Sequence, residues 1–343
     1  MLDEVINKLV SHQDLSHEEA FISFKEILKE EAKSDDIAAF LLNLQAKGFT
    51  PDEFAGCAQA LKDEITPIKS LRQGIINIST LSISPTVSFN VDLATSFVVA
   101  GCGIPVLSNY QNPFHTKSKD VETLNALDIH LSLDPKQSER CINDIGIAFI
   151  DLKKFLKTHE KFENTLFNLK TETIFDLLSV IVSPASTKYF LIGATDSDNQ
   201  ETITKAFKSM NIKRAMIVKG EDNLDAITIS DRTKISEYSK NDVSTYFISG
   251  EDFGIKTANR ADLVGGSPQE NAEIIKNILS NRGGDKINLV LLNAAAALMI
   301  CDAAKDWKDG IKKAEQSIKH GRALSKFKNL QNWTRNIKKI NES

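Results

Sequence analysis

At 343 residues the chain has room for one large or two moderate domains with a full hydrophobic core. Its 41% hydrophobic and 26% charged residues are those of an ordinary globular protein, and a net charge of −4 indicates neither a nucleic-acid coat nor a strongly acidic protein. Cys57, Cys102, Cys141 and Cys301 are scattered without a CxxC pair, the histidines show no metal-ligand spacing, and no stretch approaches the roughly 18 apolar residues of a membrane span. The start, MLDEVINKLVSHQDLS, lacks a basic segment followed by an apolar run. A soluble, cytoplasmic protein with buried reduced thiols and no membrane partner is expected.

Residues 1–70 read as helices. Val5, Ile6, Leu9 and Val10 are spaced for one face. Ser16 followed by Glu18 and Glu19 opens a second helix that carries Ala20, Phe24, Ile27 and Leu28 inward. A third helix starts at Asp36 and stops at Gly48, and Thr50 with Pro51 opens a fourth. So small a block cannot bury all its apolar faces alone, so it should pack on the rest of the chain or on a second subunit. From residue 74 short β-branched strands alternate with helices. Strands are expected at 75–78, 104–107, 189–193, 214–218 and 287–292, with helices such as 267–280 between them. That alternation predicts an α/β domain with a mainly parallel sheet covered on both faces. Residues 222–249 (LDAITIS, then STYFIS) read as a shorter antiparallel excursion. There are no repeats or low-complexity segments.

The stretch 74–112 concentrates the functional question. It reads as a strand, a loop, a helix opening near 89–90 and a second strand, which is where an α/β protein usually holds a phosphate. Such a loop normally needs glycines, because its N–H groups converge only where φ can be positive. Here it is Ser79-Thr80-Leu81-Ser82-Ile83-Ser84-Pro85-Thr86, with no glycine and a proline that lacks an N–H. The place suits a phosphate cradle and the residues do not.

Several segments, in order along nearly the whole chain, resemble the anthranilate phosphoribosyltransferases and the wider nucleoside-phosphorylase-like family. They are DDIAAFLLNLQAKGFTPDEFAG, FNVDLATSFVVAGCGIPV, TIFDLL, EDFGIK, GGSPQENAEIIKNIL and LLNAAAALMI. The resemblance implies a helical N-terminal domain over 1–70, joined by a later helical segment near 155–185 and forming a homodimer. It also implies an α/β domain over 74–330, with the active cleft between the two. Residues 331–343 then form a basic C-terminal extension.

Members of that family transfer phosphoribose from phosphoribosyl pyrophosphate to anthranilate with magnesium. Carried over by resemblance, the glycine-rich GTGGDG loop falls on residues 80–85, so its glycines and aspartate are replaced. The following NxST survives only as Asn90, with Asp92 and Leu93 in place of its serine and threonine. KHGN falls on Ser108, Asn109, Tyr110 and Gln111, and the arginine that recognises anthranilate falls on Leu166. The acid pair for the second magnesium falls on Asp225 and Ala226, while Lys117 matches the lysine of SSKSGS. Losing two or three charge-assisted contacts, each about 1.5–3 kcal/mol, removes several orders of magnitude in affinity for pyrophosphate. The expectation is a homologue without the family reaction, with no magnesium cofactor and with a binding or regulatory role. The alternatives are a divergent glycosyl or phosphoribosyl transferase with another substrate, or a nucleic-acid-binding homologue.

The candidate cleft residues are Thr80, Ser82, Ser84, Asn90, Asp92, Asn109, Gln111 and Lys117, with Asp225 as a remnant metal ligand. Ser79, Ser82, Ser84, Asn109 and Gln111 offer an uncharged polar pocket, although hydroxyl-rich loops are common without a ligand. Asp92 reads equally as an ordinary first-turn partner of the helix dipole. His115 reads as an exposed loop histidine. The nucleic-acid candidates are Lys312, Lys313, Lys319, Arg322, Lys326, Lys328, Arg335, Lys338 and Lys339, interleaved with Trp307, Phe327 and Trp333. The plainer account of these residues is a solvated helix face with its aromatics packed inward.

Overall fold

The computed structural model describes residues 2–29, 32–81, 88–109, 119–131, 133–194 and 199–342. Four helices come first: α1 (Leu2–Val10), α2 (His17–Ile27), α3 (Ser34–Lys47) and α4 (Pro51–Asp63). Ser16 and Thr50 start α2 and α4 through capping boxes, each hydroxyl accepting from the backbone three residues on while Glu19 and Glu53 reach back. Glu53 is fully buried yet satisfied. It accepts from Leu15 N at 2.8 Å and Thr50 N at 2.7 Å, and it pairs with Lys47 at 2.9 Å.

The chain continues through β1 (Ile76–Leu81), α5 (Val91–Gly101), β2 (Val106–Asn109), α6 (Lys119–Ala126), α7 (Pro135–Ile145) and β3 (Ile147–Ile150). Next come α8 (Glu160–Leu169), α9 (Ile174–Ile181), β4 (Tyr189–Ala194), α10 (Gln200–Ala206), β5 (Arg214–Gly220), β6 (Thr233–Ser239) and β7 (Asp242–Ile248). Four helices close it: α11 (Pro268–Leu279), α12 (Asp285–Ile300), α13 (Trp307–Lys319) and α14 (Arg322–Glu342).

The strands form one seven-stranded sheet in the order β3-β2-β1-β4-β5-β6-β7. The first five run parallel, β6 pairs antiparallel with β5, and β7 pairs antiparallel with β6. β1 and β4 are buried along nearly their whole length, as strands covered on both faces must be. α5 and α12 pack together on one face, and α9 lies against β1 and β2. α8 also packs on α3, and α9 on α3 and α4. Backbone bonds from Thr66 to Phe155 (2.8 Å), Lys157 to Glu64 (3.0 Å) and Ile68 to Pro184 (3.0 Å) stitch the connecting segments together.

Two expectations change, and one strand was not foreseen. Residues 287–292 lie inside α12, not in a strand. An apolar run that short has no period to separate a strand from a helix buried on all sides, and α12 is such a helix. The antiparallel excursion is present, but LDAITIS is a turn region and its strands are β6 and β7. β3, a four-residue edge strand of the parallel set, was not among the expected strands, although its IAFI run after Gly146 is apolar throughout.

Candidate functional site

The loop after β1 and the start of α5 are where the sequence placed a phosphate cradle. β1 ends at Leu81 and the chain is described again from Ser88, whose backbone bridges to Val264. Asn90 precedes α5 in a left-handed conformation (φ 67°, ψ 61°), which asparagine tolerates better than most residues. Its side chain is a buried hub. The amide nitrogen donates to the Asp120 carboxylate, and the oxygen accepts from Thr123 Oγ1 at 2.9 Å and Asn271 Nδ2 at 3.1 Å. Asn271 in turn accepts from Gly266 N at 2.8 Å. Asn90 thus ties the starts of α5 and α6 to α11, and most of its hydrogen-bonding capacity is used within the chain. Asp92 sits half-buried in the first turn of α5, where the helix dipole favours a carboxylate, and Leu93 is fully buried.

On the opposite face of the sheet, Asn109 at the end of β2 donates to the carbonyls of Ser179 and Val182, both at 2.8 Å. Asn77 on β1 donates to the Val180 carbonyl at 2.9 Å. The two amides satisfy carbonyls that the C-terminus of α9 leaves without helical donors. Ser79 is buried on the same strand face as Asn77. Leu166, at the position expected for the anthranilate arginine, is buried in α8.

Thr80 and Asp225 meet at Gly193. A β-carbon at Gly193 would lie 1.9 Å from the Asp225 carbonyl oxygen and 3.5 Å from Thr80 Oγ1, so only glycine lets the Asp225 backbone settle on β4. Asp225 and its neighbour Ala226 are both buried. Among the described residues, no three His, Cys, Asp or Glu side chains are grouped to share a metal ion.

Lys286 is a cation near the start of α5 that sequence reasoning did not single out. Its ammonium lies 5.9 Å from the Phe89 ring centre and donates to the Asp262 carbonyl, and burial pushes its pKa down. Asp120 and Thr123 were missed as well, since nothing in α6 marks them. Asn271 had a signal, because it belongs to the GGSPQENA segment. Ser82, Ser84, Gln111, Lys117 and His115 lie outside the described residues.

Several of the C-terminal basic residues are engaged within the chain. Lys313 pairs with Asp309 at 2.8 Å and Lys319 with Glu315 at 2.8 Å. Lys326 donates to the Ile145 carbonyl and has its pKa lowered, first by burial and then by Arg72. Arg335 pairs with Asp128. Lys312, Lys319, Arg322, Lys328 and Arg335 are exposed, and the backbone of Lys338 and Lys339 continues α14. The aromatics face inward: Phe327 meets Phe97 edge-on at 5.5 Å, Trp307 stacks on Phe253 at 5.0 Å, and Trp333 is partly buried against the core. The segment after Leu330 is held in place, with Gln331 Nε2 donating to the Leu127 carbonyl at 2.7 Å.

Residues 85–324 match the a/b domain of the glycosyl transferase family, and residues 3–64 match that family's helical bundle domain. The chain is similar to the anthranilate phosphoribosyltransferase of Acetivibrio thermocellus, 32% identical over 100% of this chain and 99% of the relative. It is likewise similar to that of Desulfatibacillum aliphaticivorans, 32% identical over 97% of this chain and 99% of the relative. Its fold matches the crystal structure of anthranilate phosphoribosyltransferase from Thermus thermophilus, with a TM-score of 0.87, 22% identity and coverage of 96% of this chain and 99% of that one. It also matches the Saccharomyces cerevisiae enzyme in complex with PRPP and Mg, with a TM-score of 0.84, 19% identity and coverage of 98% of both chains. No described helix is long and apolar enough to cross a membrane. The chain belongs to the anthranilate phosphoribosyltransferase-like family of glycosyl transferases.

Proposed function

We propose that this chain is a family member without phosphoribosyl transfer to anthranilate, a cytoplasmic homodimer whose cleft serves a binding or regulatory role. The observation that carries this reading is the start of α5. Its one retained motif residue, Asn90, is bound to the carboxylate of Asp120, and Asp92 adds a second carboxylate in the first turn. A pyrophosphate brought there would face negative charge where it needs donors or metal to replace its hydration. Asn109 also has its amide protons committed to backbone carbonyls. A single acid, Asp225, beside Ala226 supports a cleft that does not use the family's second magnesium. For the dimer, the support is that exposed Val10, Leu42 and Phe167 lie on α1, α3 and α8, helices packed side by side.

The test is calorimetric titration with phosphoribosyl pyrophosphate and magnesium, with an anthranilate turnover assay on the same sample. No heat at millimolar ligand is the expected result. Micromolar binding with turnover overturns the reading, and binding without turnover indicates a transferase with another acceptor.

A further inference from the structure

The sheet face beneath α9 carries buried oxygens that the fold does not satisfy. Asn77 and Ser79 lie two residues apart on β1 and point to one side of the sheet. The Asn77 amide bonds to Val180 at 2.9 Å, while that of Asn109, on the adjacent strand, bonds to Ser179 and Val182 at 2.8 Å. Both asparagines therefore gather under the end of α9, with Ser79 beside them. Neither amide can be turned over, because its oxygen would then face a carbonyl oxygen. This leaves Asn77 Oδ1, Asn109 Oδ1 and Ser79 Oγ, in residues only 0%, 6% and 2% exposed, with no hydrogen-bond partner among the described residues. Buried polar atoms are almost always paired, so a cluster of three marks a place for a donor from outside the chain.

The chemistry of that donor follows from its surroundings. The two amide oxygens only accept, and the hydroxyl can accept as well. They lie at the negative end of the α9 dipole, which favours a cation and disfavours an anion. Asn109 sits at the C-terminal end of β2, so the cluster adjoins the expected cleft. We propose that Asn77, Ser79 and Asn109 bind a primary ammonium group, either the free ion or the amino end of a small metabolite. This names a ligand class for the cleft and rests on the reading that pyrophosphate has no place there.

Thermal unfolding of the full chain with ammonium, methylammonium and tetramethylammonium chlorides, at constant ionic strength, tests it. Tetramethylammonium has the charge and no N–H. The first two salts should raise the melting temperature saturably, by roughly 1–3 °C, and the third should not. Ser79→Ala, which leaves both asparagine contacts intact, should weaken the ammonium effect by about 3- to 10-fold. Equal effects of all three salts, or none, overturn the proposal and leave the oxygens to ordered water only. The salt selectivity of the unmodified chain decides the matter even where Ser79→Ala fails to fold. Turnover with phosphoribosyl pyrophosphate would overturn the preceding functional reading and leave the salt selectivity standing, so the two failures are distinguishable.

Discussion

Asn109 and Ser79 are neighbours on one sheet face with opposite expected costs of removal. Asn109→Ala takes away two hydrogen bonds to backbone carbonyls and leaves Ser179 and Val182 short of donors in a buried place. The expected loss is about 2–4 kcal/mol, read as a lower midpoint in urea unfolding with an unchanged slope. Ser79→Ala removes a hydroxyl that bonds to nothing among the described residues, so stability should move by no more than about 0.5 kcal/mol. A large loss for Ser79→Ala and none for Asn109→Ala would reverse the assignment of which group holds α9. Asn109 was singled out in the sequence only through its place in the segment that resembles KHGN, two residues beyond the expected strand. Its partners were not, because they lie some seventy positions away and no local pattern predicts a side chain bonding to a distant helix end.

At the scale of elements, the start of α2 carries a pH dependence. Glu19 is held at about 2, first by its hydrogen bond from Lys8 and then by the Ser16 backbone N–H and hydroxyl. Its pKa is lower in the folded chain than in the unfolded one. Its contribution is therefore complete above about pH 4.5 and is lost as pH falls toward 2. Both charged side chains are partly exposed, at 41% for Lys8 and 32% for Glu19, so the effect should be about 1 kcal/mol or less. Comparing the chain with Glu19→Gln in urea at about pH 6 and about pH 2.5 checks this, since the stability difference should shrink at the lower pH.

The last helix allows a sharper test. Ending the chain after Leu330 removes the Gln331 bond to Leu127 and the Arg335 pair with Asp128. About 1–3 kcal/mol of stability should be lost. No retardation of single-stranded DNA at about 0.15 M salt is expected with or without the extension, and salt-sensitive binding that needs residues 331–343 would restore the nucleic-acid reading. The elements also show what pattern could and could not reveal. Capping residues Ser16 and Thr50 set helix starts from local chemistry alone, and α2 and α4 begin where they indicate. Residues 287–292 misled because an apolar run has the same look in a strand and in a helix covered on every side, and only the packing around α12 decides between them.

At the scale of the whole molecule, the open balance is between apolar surface and water. Val10, Leu42 and Phe167 are 57%, 38% and 50% exposed, and they stand on α1, α3 and α8. α3 packs against both of the others, which makes the three helices one layer. Isolated exposed apolar residues are normal on a monomer, but three on one helical layer form the kind of surface a second copy can cover. A two-fold interface would use each residue twice, and a stable one needs about 800 Å² from each partner. Light scattering after size exclusion should therefore give twice the 38.0 kDa chain mass. Phe167→Glu or Leu42→Glu should return the monomer, because a carboxylate in the covered patch has no partner to offset its desolvation. A chain that is monomeric at all concentrations, or a dimer indifferent to Phe167→Glu and Leu42→Glu together, would mean that this layer faces solvent and that the N-terminal helices close their core against the α/β domain alone.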